Sequence, residues 1–256
     1  MQKIEVLNNI THQHLSVTPK FSANLGDNVA STVTFVTEFA AVQKEYPILC
    51  RKAPDTGEYQ AVVFFGFQKD ENLFLVEVDP SNQKNLGWRA DYIPAVIARG
   101  PFSIGIQREM ENGVEVQKPV VHIDVNHAKA TGDDGQKLFL KNGGYSPYLN
   151  HITTVLDTIN DGMYFTKLMF DVFNKYQLLE VVNLDIEFQN HEKIKITGFE
   201  TINTEKLSQL TGEALEELNR SGFLQAAYFI SASMSNISKL IDWKNRKILA
   251  GGVNLS

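Results

Sequence analysis

Residues 38–74 read EFAAVQKEYPILCRKAPDTGEYQAVVFFGFQKDENLF, and this stretch decides the fold of the N-terminal half. It begins with one or two helical turns and continues into apolar runs at 46–51 and 59–68, whose composition favours β-strands. The sequence Pro-Asp-Thr-Gly at 54–57 lies between these runs and is a turn signal. Because a polar turn leads from 59–68 into the apolar run 73–78, we predict that these two runs form a β-hairpin.

The strand pattern extends to both sides of this stretch. Before it we predict two short strands, at 4–7 and 31–35. After it we predict a short helix at 90–98 and two longer strands at 102–107 and 114–125, which are joined by a turn at Asn112-Gly113. The segment 128–136 is polar and rich in Gly and Asp, so it is predicted to be a loop.

The second half of the chain changes to a helical period. Its first apolar residues recur at alternating spacings of three and four: Leu149, Ile152, Leu156, Ile159 and Met163. Pro147 suits the first position of this helix, and Gly162 is predicted to break or kink it before a second helix.

A strand pair and further helices follow. The strand pair is predicted at 178–188 and 193–201, and a final helix at 223–241. Asn203 is predicted to cap the short helix after the strands. Gly222 is predicted to adopt the left-handed conformation that follows a helix end.

This order of elements predicts an α+β fold rather than a repeating βαβ fold. We expect a mixed, mainly antiparallel sheet in the N-terminal half and a helix-rich C-terminal half. The whole chain, 1–256, is predicted to be a single domain. If two lobes exist, their boundary is expected within 128–144.

Composition excludes some classes of function. The chain has 256 residues and a net charge of −6, so it lacks the basic excess that nucleic acid binding requires. The one dense basic stretch, KNRK at 244–247, is interpreted as a solvated C-terminal tail. The N-terminus does not resemble a signal peptide, and no apolar run approaches the roughly 20 residues of a membrane span. We therefore predict a cytoplasmic protein without direct membrane insertion.

Cys50 is the only cysteine, so no intrachain disulfide can form. It follows an apolar triplet in a predicted strand, and no motif places a base beside it. We therefore interpret it as a buried structural thiol rather than a nucleophile.

Several short motifs follow one another in a fixed order. They are Phe35-x-x-Glu38-Phe39 leading into Tyr46-Pro47-Ile48, Gly66 before Asn72-Leu73-Phe74, Trp88 and then Tyr92-Ile93-Pro94-Ala95, Gly100-Pro101-Phe102, Leu138-Phe139 before Asn142-Gly143, Gly198-Phe199, and Gly222-Phe223-Leu224. This ordered set resembles the SapC family over residues 15–241.

The resemblance implies a bacterial protein. The family name is tied to a paracrystalline surface layer, and relatives are associated with outer-membrane uptake systems. The resemblance implies no agreed set of catalytic residues. A surface-layer component would have to leave the cytoplasm, so we expect that the surface-layer label does not describe this member.

The sharpest chemical signal is His122-Ile123-Asp124. Residues two apart in a strand point to the same side, as in the two-histidine, one-carboxylate triad that holds non-haem iron. His191 is the best candidate for the second histidine, and His151 is the next. The alternative is a chance motif whose two side chains make ordinary surface hydrogen bonds.

Two functions from different classes follow, and a third, plainer possibility is a structural subunit of an assembly. The leading interpretation is a non-catalytic or accessory SapC-type protein that needs no cofactor. It binds a protein or peptide partner linked to cell-surface or outer-membrane uptake functions, and a homo-oligomer stays open. Its binding surface is predicted at Tyr46, Phe65, Trp88, Tyr92 and Pro94. The alternative is an Fe(II)- and 2-oxoglutarate-dependent oxygenase acting on a protein or peptide through His122, Asp124 and His191.

Overall fold

The computed structural model describes residues 2–78, 86–111, 114–130 and 135–252, which form antiparallel sheets and a helical C-terminal part. The predicted α+β class is therefore confirmed. The strands are β1 (Ile4–Val6), β2 (Ser16–Val17), β3 (Ser31–Thr34), β4 (Ile48–Lys52), β5 (Tyr59–Phe64), β6 (Phe102–Glu111), β7 (Val114–Asp124), β8 (Gln136–Lys137), β9 (Leu179–Glu187) and β10 (Lys193–Ile202). The helices are α1 (Phe39–Val42), α2 (Ala95–Ala98), α3 (Pro147–Lys175), α4 (Thr204–Ser208), α5 (Gly212–Arg220), α6 (Phe223–Ser233) and α7 (Asn236–Gly252).

The chain divides into two compact units that alternate along the sequence. The first unit comprises Met1–Asp27, Leu75–Arg89 and Ala95–Asn160, and the second comprises Asn28–Phe74, Ala90–Pro94 and Asp161–Ser256. The segment 128–144 lies within the first unit. Whether the chain behaves as a single domain or as two lobes stays a prediction.

The first unit is built on an antiparallel sheet in the order β1-β7-β6. Strands β6 and β7 pair from Phe102 and Ile123 out to Glu111 and Val114, and the turn predicted at Asn112-Gly113 lies outside the described residues. The second, smaller sheet pairs β2 with β8. The core of the unit is apolar and consists of Val17, Phe102, Ile123, Ala130, Leu138, Phe139, Leu149, Ile152 and Leu156.

The second unit is built on a five-stranded antiparallel sheet in the order β3-β5-β4-β10-β9. Helix α6 contacts β4 and β10, and α1 contacts α6. Strands β9 and β10 form the predicted hairpin, with a register shift between Ile196 and Phe199. Helix α4 begins after Asn203, whose side chain accepts a hydrogen bond from the Lys206 backbone N–H at 2.8 Å as predicted.

Two predicted elements differ from the structure. The run 73–78 does not pair with β5, because both edges of β5 are already occupied by β3 and β4. The helix predicted at 90–98 begins only at Ala95. Pro94 explains the late start, since the residue before a proline is disfavoured in helical conformation.

Helix α3 begins at Pro147, as predicted, but Gly162 does not break it. A Cβ atom built on Gly162 would lie 2.5 Å from Cβ of Phe35, so this glycine permits close packing. The final helix is in fact two helices, α6 and α7, separated at 234–235.

No helix within the described residues has both the length and the apolar character that crossing a membrane requires.

Candidate functional site

A buried carboxylate, Glu38, lies where two of the sequence motifs meet. It ends the short 3-10 helix Val36–Glu38, and only 3% of the residue is exposed. Its Oε1 atom accepts hydrogen bonds from the Thr34 hydroxyl at 2.7 Å and from the Phe35 backbone N–H at 3.3 Å. Its Oε2 atom accepts a hydrogen bond from the Tyr92 hydroxyl at 2.8 Å. These neutral donors satisfy a charge that would be costly to bury without partners.

The segment 90–94, which we name the strap, belongs to the second unit. In addition to the Tyr92 hydroxyl, backbone groups of the strap form hydrogen bonds that hold it in place. The Glu45 side chain accepts hydrogen bonds from the backbone N–H groups of Asp91 at 2.9 Å and Tyr92 at 3.4 Å. The Tyr46 hydroxyl donates a hydrogen bond to the Tyr92 carbonyl oxygen. Glu45 and Tyr46 both follow α1 directly, so one short stretch of chain fixes the strap.

The pKa of the Tyr92 hydroxyl is raised above its ordinary range. Burial is the main cause, and the nearby negative charge of Glu38 acts in the same direction. Because the deprotonated form is disfavoured, Tyr92 keeps its proton and acts as a hydrogen-bond donor at neutral pH. The Tyr92 hydroxyl therefore serves to position the strap.

Aromatic side chains form the support beneath the strap. Tyr46 is fully buried, stacks on Phe74 with 4.4 Å between ring centres, and meets Phe65 edge-on at 5.7 Å. Phe74 in turn meets Trp243 of α7 edge-on at 5.0 Å. Such pairs add about 0.5–1.5 kcal/mol beyond the burial of their area, so the Tyr46 hydroxyl is held in a rigid setting.

The five residues predicted as a binding surface occupy different environments. Tyr46, Phe65 and Pro94 are buried in the second unit, and Tyr92 is half-buried there. Trp88 is buried in the first unit. Their role in binding stays a prediction. The buried members would act by fixing the strap or the surrounding chain, and not by touching a partner.

Trp88 lies next to a buried ion pair of the first unit. It meets Phe21 edge-on at 5.6 Å, and the Lys129 ammonium lies 3.9 Å from the centre of the Phe21 ring. Lys129 Nζ is also 2.8 Å from Asp27 Oδ1. Burial lowers the pKa of Lys129, and the Asp27 carboxylate opposes that change. This pair joins two distant stretches of the unit.

The predicted iron ligands lie in ordinary hydrogen-bonding and packing environments. The His122 ring covers Gly105, where a Cβ atom would come within 2.1 Å of the ring. Asp124 accepts hydrogen bonds from the backbone N–H groups of Lys3 at 2.9 Å and Asn126 at 3.1 Å. His191 has a positive φ of 65°, and its Nδ1 atom lies 3.5 Å from a Glu187 carboxylate oxygen.

Within residues 2–78, 86–111, 114–130 and 135–252, no three His, Cys, Asp or Glu side chains come together in a group that could hold a metal ion. His122 and Asp124 belong to the first unit and His191 to the second. The oxygenase interpretation stays a prediction.

A second site, which the sequence did not indicate, is a cavity of about 370 Å³ in the second unit. At its wall, the Lys244 ammonium lies 2.7 Å from Glu71 Oε1 and 3.0 Å from Gln68 Oε1. The side chains of Lys244 and Glu71 are only 8% and 6% exposed. The cavity is lined by Gln68, Lys69, Asp70, Glu71, Lys244, Lys247 and Ile248.

Close packing of the main chain places Glu71 at this cavity. A Cβ atom on Gly66 would lie 2.6 Å from the Glu71 carbonyl oxygen, so the chain can approach itself here only at a glycine. The Phe67 backbone N–H donates to Glu71 Oε2 at 3.1 Å. The interpretation of KNRK as a solvated tail is wrong for Lys244, which lies in helix α7 and is buried. The long Lys244 side chain reaches the carboxylate of Glu71, which follows β5 in the chain.

Cys50 is fully buried in β4, as predicted. Burial raises the pKa of its thiol well above the ordinary range, and the Glu200 charge adds to this effect. Since the thiolate is the reactive form, the environment is that of an unreactive structural thiol.

The SapC family model matches residues 7–240, so the chain belongs to the SapC family. The match includes Glu38, Tyr46 and Tyr92 of the strap network and Glu71 of the cavity, while Lys244 lies beyond it. No curated protein and no solved structure matches the chain.

Proposed function

We propose that this SapC-family chain is a cytoplasmic, non-catalytic accessory protein. It binds a protein or peptide partner linked to cell-surface or outer-membrane uptake functions. The observation that carries the proposal is the strap 90–94, a short segment fixed by the buried Glu38 carboxylate, by Glu45 and by Tyr46.

The energetics of the strap support a recognition role. Burying a carboxylate costs several kcal/mol unless hydrogen bonds compensate, so the hydrogen bonds of Glu38 hold the strap in one position. Fixing a loop before binding removes part of the ordering cost that association would otherwise carry. Rigidly held loops are also where binding residues concentrate.

The surface of the strap suits a polypeptide partner. Asp91 is exposed and Ile93 is half-buried, so an acidic side chain and an aliphatic one lie within three residues. Tyr92 comes between them in the sequence and is half-buried, and tyrosine is among the residues enriched in binding sites. An aromatic ring such as that of Tyr92 is enriched in protein interfaces, whereas a charge such as that of Asp91 suits their polar rim.

Site-specific photo-crosslinking in the host bacterium tests the proposal. A photoreactive residue replaces Asp91 in one variant and Asp55 in a control variant, since Asp55 is also exposed and lies in a turn of the same unit. We expect a discrete crosslinked protein from position 91 and none from position 55. Adding Tyr92→Phe should reduce the position-91 product several-fold, because the strap loses its bond to Glu38.

Circular dichroism on each variant shows that the fold is retained. Identical products from positions 91 and 55, or a product from position 91 that Tyr92→Phe leaves unchanged, would argue against the strap as the binding element. Recovery of the protein outside the cytoplasmic fraction would contradict the proposed location.

A further inference from the structure

We propose that the cavity beside Glu71 and Lys244 binds the carboxylate group of a small polar molecule. The site uses none of the residues of the strap, so it goes beyond the proposed function and does not depend on it.

The charges that line the cavity favour an anion. Three ammonium groups, those of Lys69, Lys244 and Lys247, face two carboxylates, those of Asp70 and Glu71. The lining therefore carries an excess of one positive charge, whereas the whole chain has a net charge of −6. Like charges that line a concave site concentrate the opposite charge there, so this positive excess attracts anions.

Lys244 and Lys247 play different parts at this site. Lys244 is anchored, because Glu71 and Gln68 accept its hydrogen bonds and the Phe188 ring centre lies 5.8 Å away. Lys247 Nζ lies 3.8 Å from the same Glu71 oxygen, beyond hydrogen-bonding distance, and its side chain is 65% exposed.

Lys247 is therefore a second, more distant ion-pair partner of Glu71. Because Lys244 makes the hydrogen bond to Glu71, the exposed Lys247 ammonium group can turn to donate to an incoming ligand. The exposed Lys69 side chain lines the same cavity and can supply a second ammonium group. A carboxylate held by one or two ammonium groups gains charge-assisted hydrogen bonds, which are stronger than neutral ones.

The cavity suits a carboxylate better than a phosphate. A single excess positive charge matches a monoanion, and the Asp70 carboxylate in the lining would repel a dianion more strongly. A volume of about 370 Å³ is near the lower end of the range for small-molecule sites. Ile248 is the one aliphatic residue in the lining, so a polar ligand is favoured over a hydrophobic one.

Ligand-observed NMR titration of the full chain tests this assignment with four probes. Propionate represents a free small acid, and N-acetyl-glycylglycine represents a peptide C-terminus. The amide of that peptide and inorganic phosphate are the comparisons. We expect at least one carboxylate probe to bind with a Kd on the order of 1 mM, the peptide amide not to bind, and added salt to weaken binding.

Matched variants of helix α7 locate the binding. Lys247→Gln should weaken carboxylate binding about tenfold, because it removes one charge-assisted hydrogen bond. Arg246→Gln makes the same change of charge one residue away, outside the cavity lining, and should leave binding unchanged. Lys69→Gln provides a second cavity variant if Lys247→Gln does not fold.

Each outcome decides the assignment. Binding of propionate alone supports a free small acid as the ligand, and binding of the peptide acid supports a C-terminus. Four results would overturn the proposal: no binding at about 10 mM, tighter binding of phosphate, equal binding of the amide, or equal losses in Lys247→Gln and Arg246→Gln. Crosslinking from Asp91 is expected to be unaffected by Lys247→Gln, so the two proposals fail separately.

Discussion

Glu38 and Glu71 are two carboxylates of the second unit that are buried to nearly the same extent, 3% and 5% exposed, yet their neighbours differ. Two hydroxyl groups and a backbone N–H donate hydrogen bonds to Glu38. The Lys244 ammonium pairs with Glu71, assisted by one backbone N–H.

The difference teaches what each arrangement can do. Neutral donors have fixed directions, so Glu38 sets the geometry of the strap. An ion pair places opposite charges together in a poorly solvated place, and a second lysine nearby leaves a surplus charge for a ligand. The hydrogen bonds of Glu38 position a segment of chain, and the charges around Glu71 create a local electrostatic potential.

The largest effect is expected from Lys244→Met. It removes the ammonium group 2.7 Å from the buried Glu71 carboxylate and leaves the largely exposed Lys247, 3.8 Å away, as its ion-pair partner, so it should cost about 3 kcal/mol of unfolding free energy. Urea denaturation followed by circular dichroism measures the loss. The double variant Lys244→Met/Glu71→Met should recover most of it, because no charge is then left buried. A loss below about 1 kcal/mol in the single variant would show that water or Lys247 takes the place of the Lys244 ammonium group.

Glu38→Gln should have a smaller effect, about 2 kcal/mol by the same measurement. The amide keeps one oxygen acceptor, but its NH₂ group must face a group that also donates, so at least one buried donor loses its partner. Glu45→Gln is the matched control, because one amide oxygen can still accept from Asp91 and Tyr92. Equal losses of stability in the two variants would mean that the buried Glu38 contributes no more than the half-buried Glu45.

The smallest effect is expected for Tyr92→Phe and depends on pH. The folded-state pKa of Tyr92 is raised above the unfolded value of about 10, so the folded state holds the proton longer. Its contribution to stability is fully present below about pH 10 and is lost as pH rises above that value. Tyr92→Phe should cost about 1 kcal/mol at pH 8 and should make the decline of stability above pH 10 shallower.

Denaturant midpoints measured from pH 8 to 11 check this dependence, with Tyr228→Phe as a control on a 55% exposed tyrosine. Identical pH profiles for the wild type and Tyr92→Phe would mean that the Tyr92 hydroxyl is not buried beside Glu38 in solution.

Sequence patterns predicted local structure where local forces decide it. The β9–β10 hairpin, the start of α3 at Pro147 and the cap at Asn203 all depend on neighbours within a few residues. Gly162 shows the limit of such patterns. A glycine that breaks a helix and one that lets another chain segment approach are identical in sequence, and only the contact with Phe35 distinguishes them.

The candidate sites were harder to predict because they join distant stretches. The motif residues Glu38, Tyr46 and Tyr92 were identified, but their mutual hydrogen bonds depend on how the strap returns to the second unit. Glu71 and Lys244 are 173 residues apart. In sequence alone, a lysine beside other basic residues indicates an exposed side chain. The burial of Lys244 is explained by its ion pair with the distant Glu71 carboxylate.

The alternation of the two units along the chain also bears on how the protein is made. During synthesis, β3, β4 and β5 emerge more than a hundred residues before β10, which pairs with β4. Glu71 leaves the ribosome 173 residues ahead of Lys244, so the ion pair between them cannot form until helix α7 has been synthesised. Contacts of such long range form slowly, and exposed strand edges in unfinished chains invite aggregation. The second unit can therefore complete its five-stranded sheet only after β10 has been synthesised.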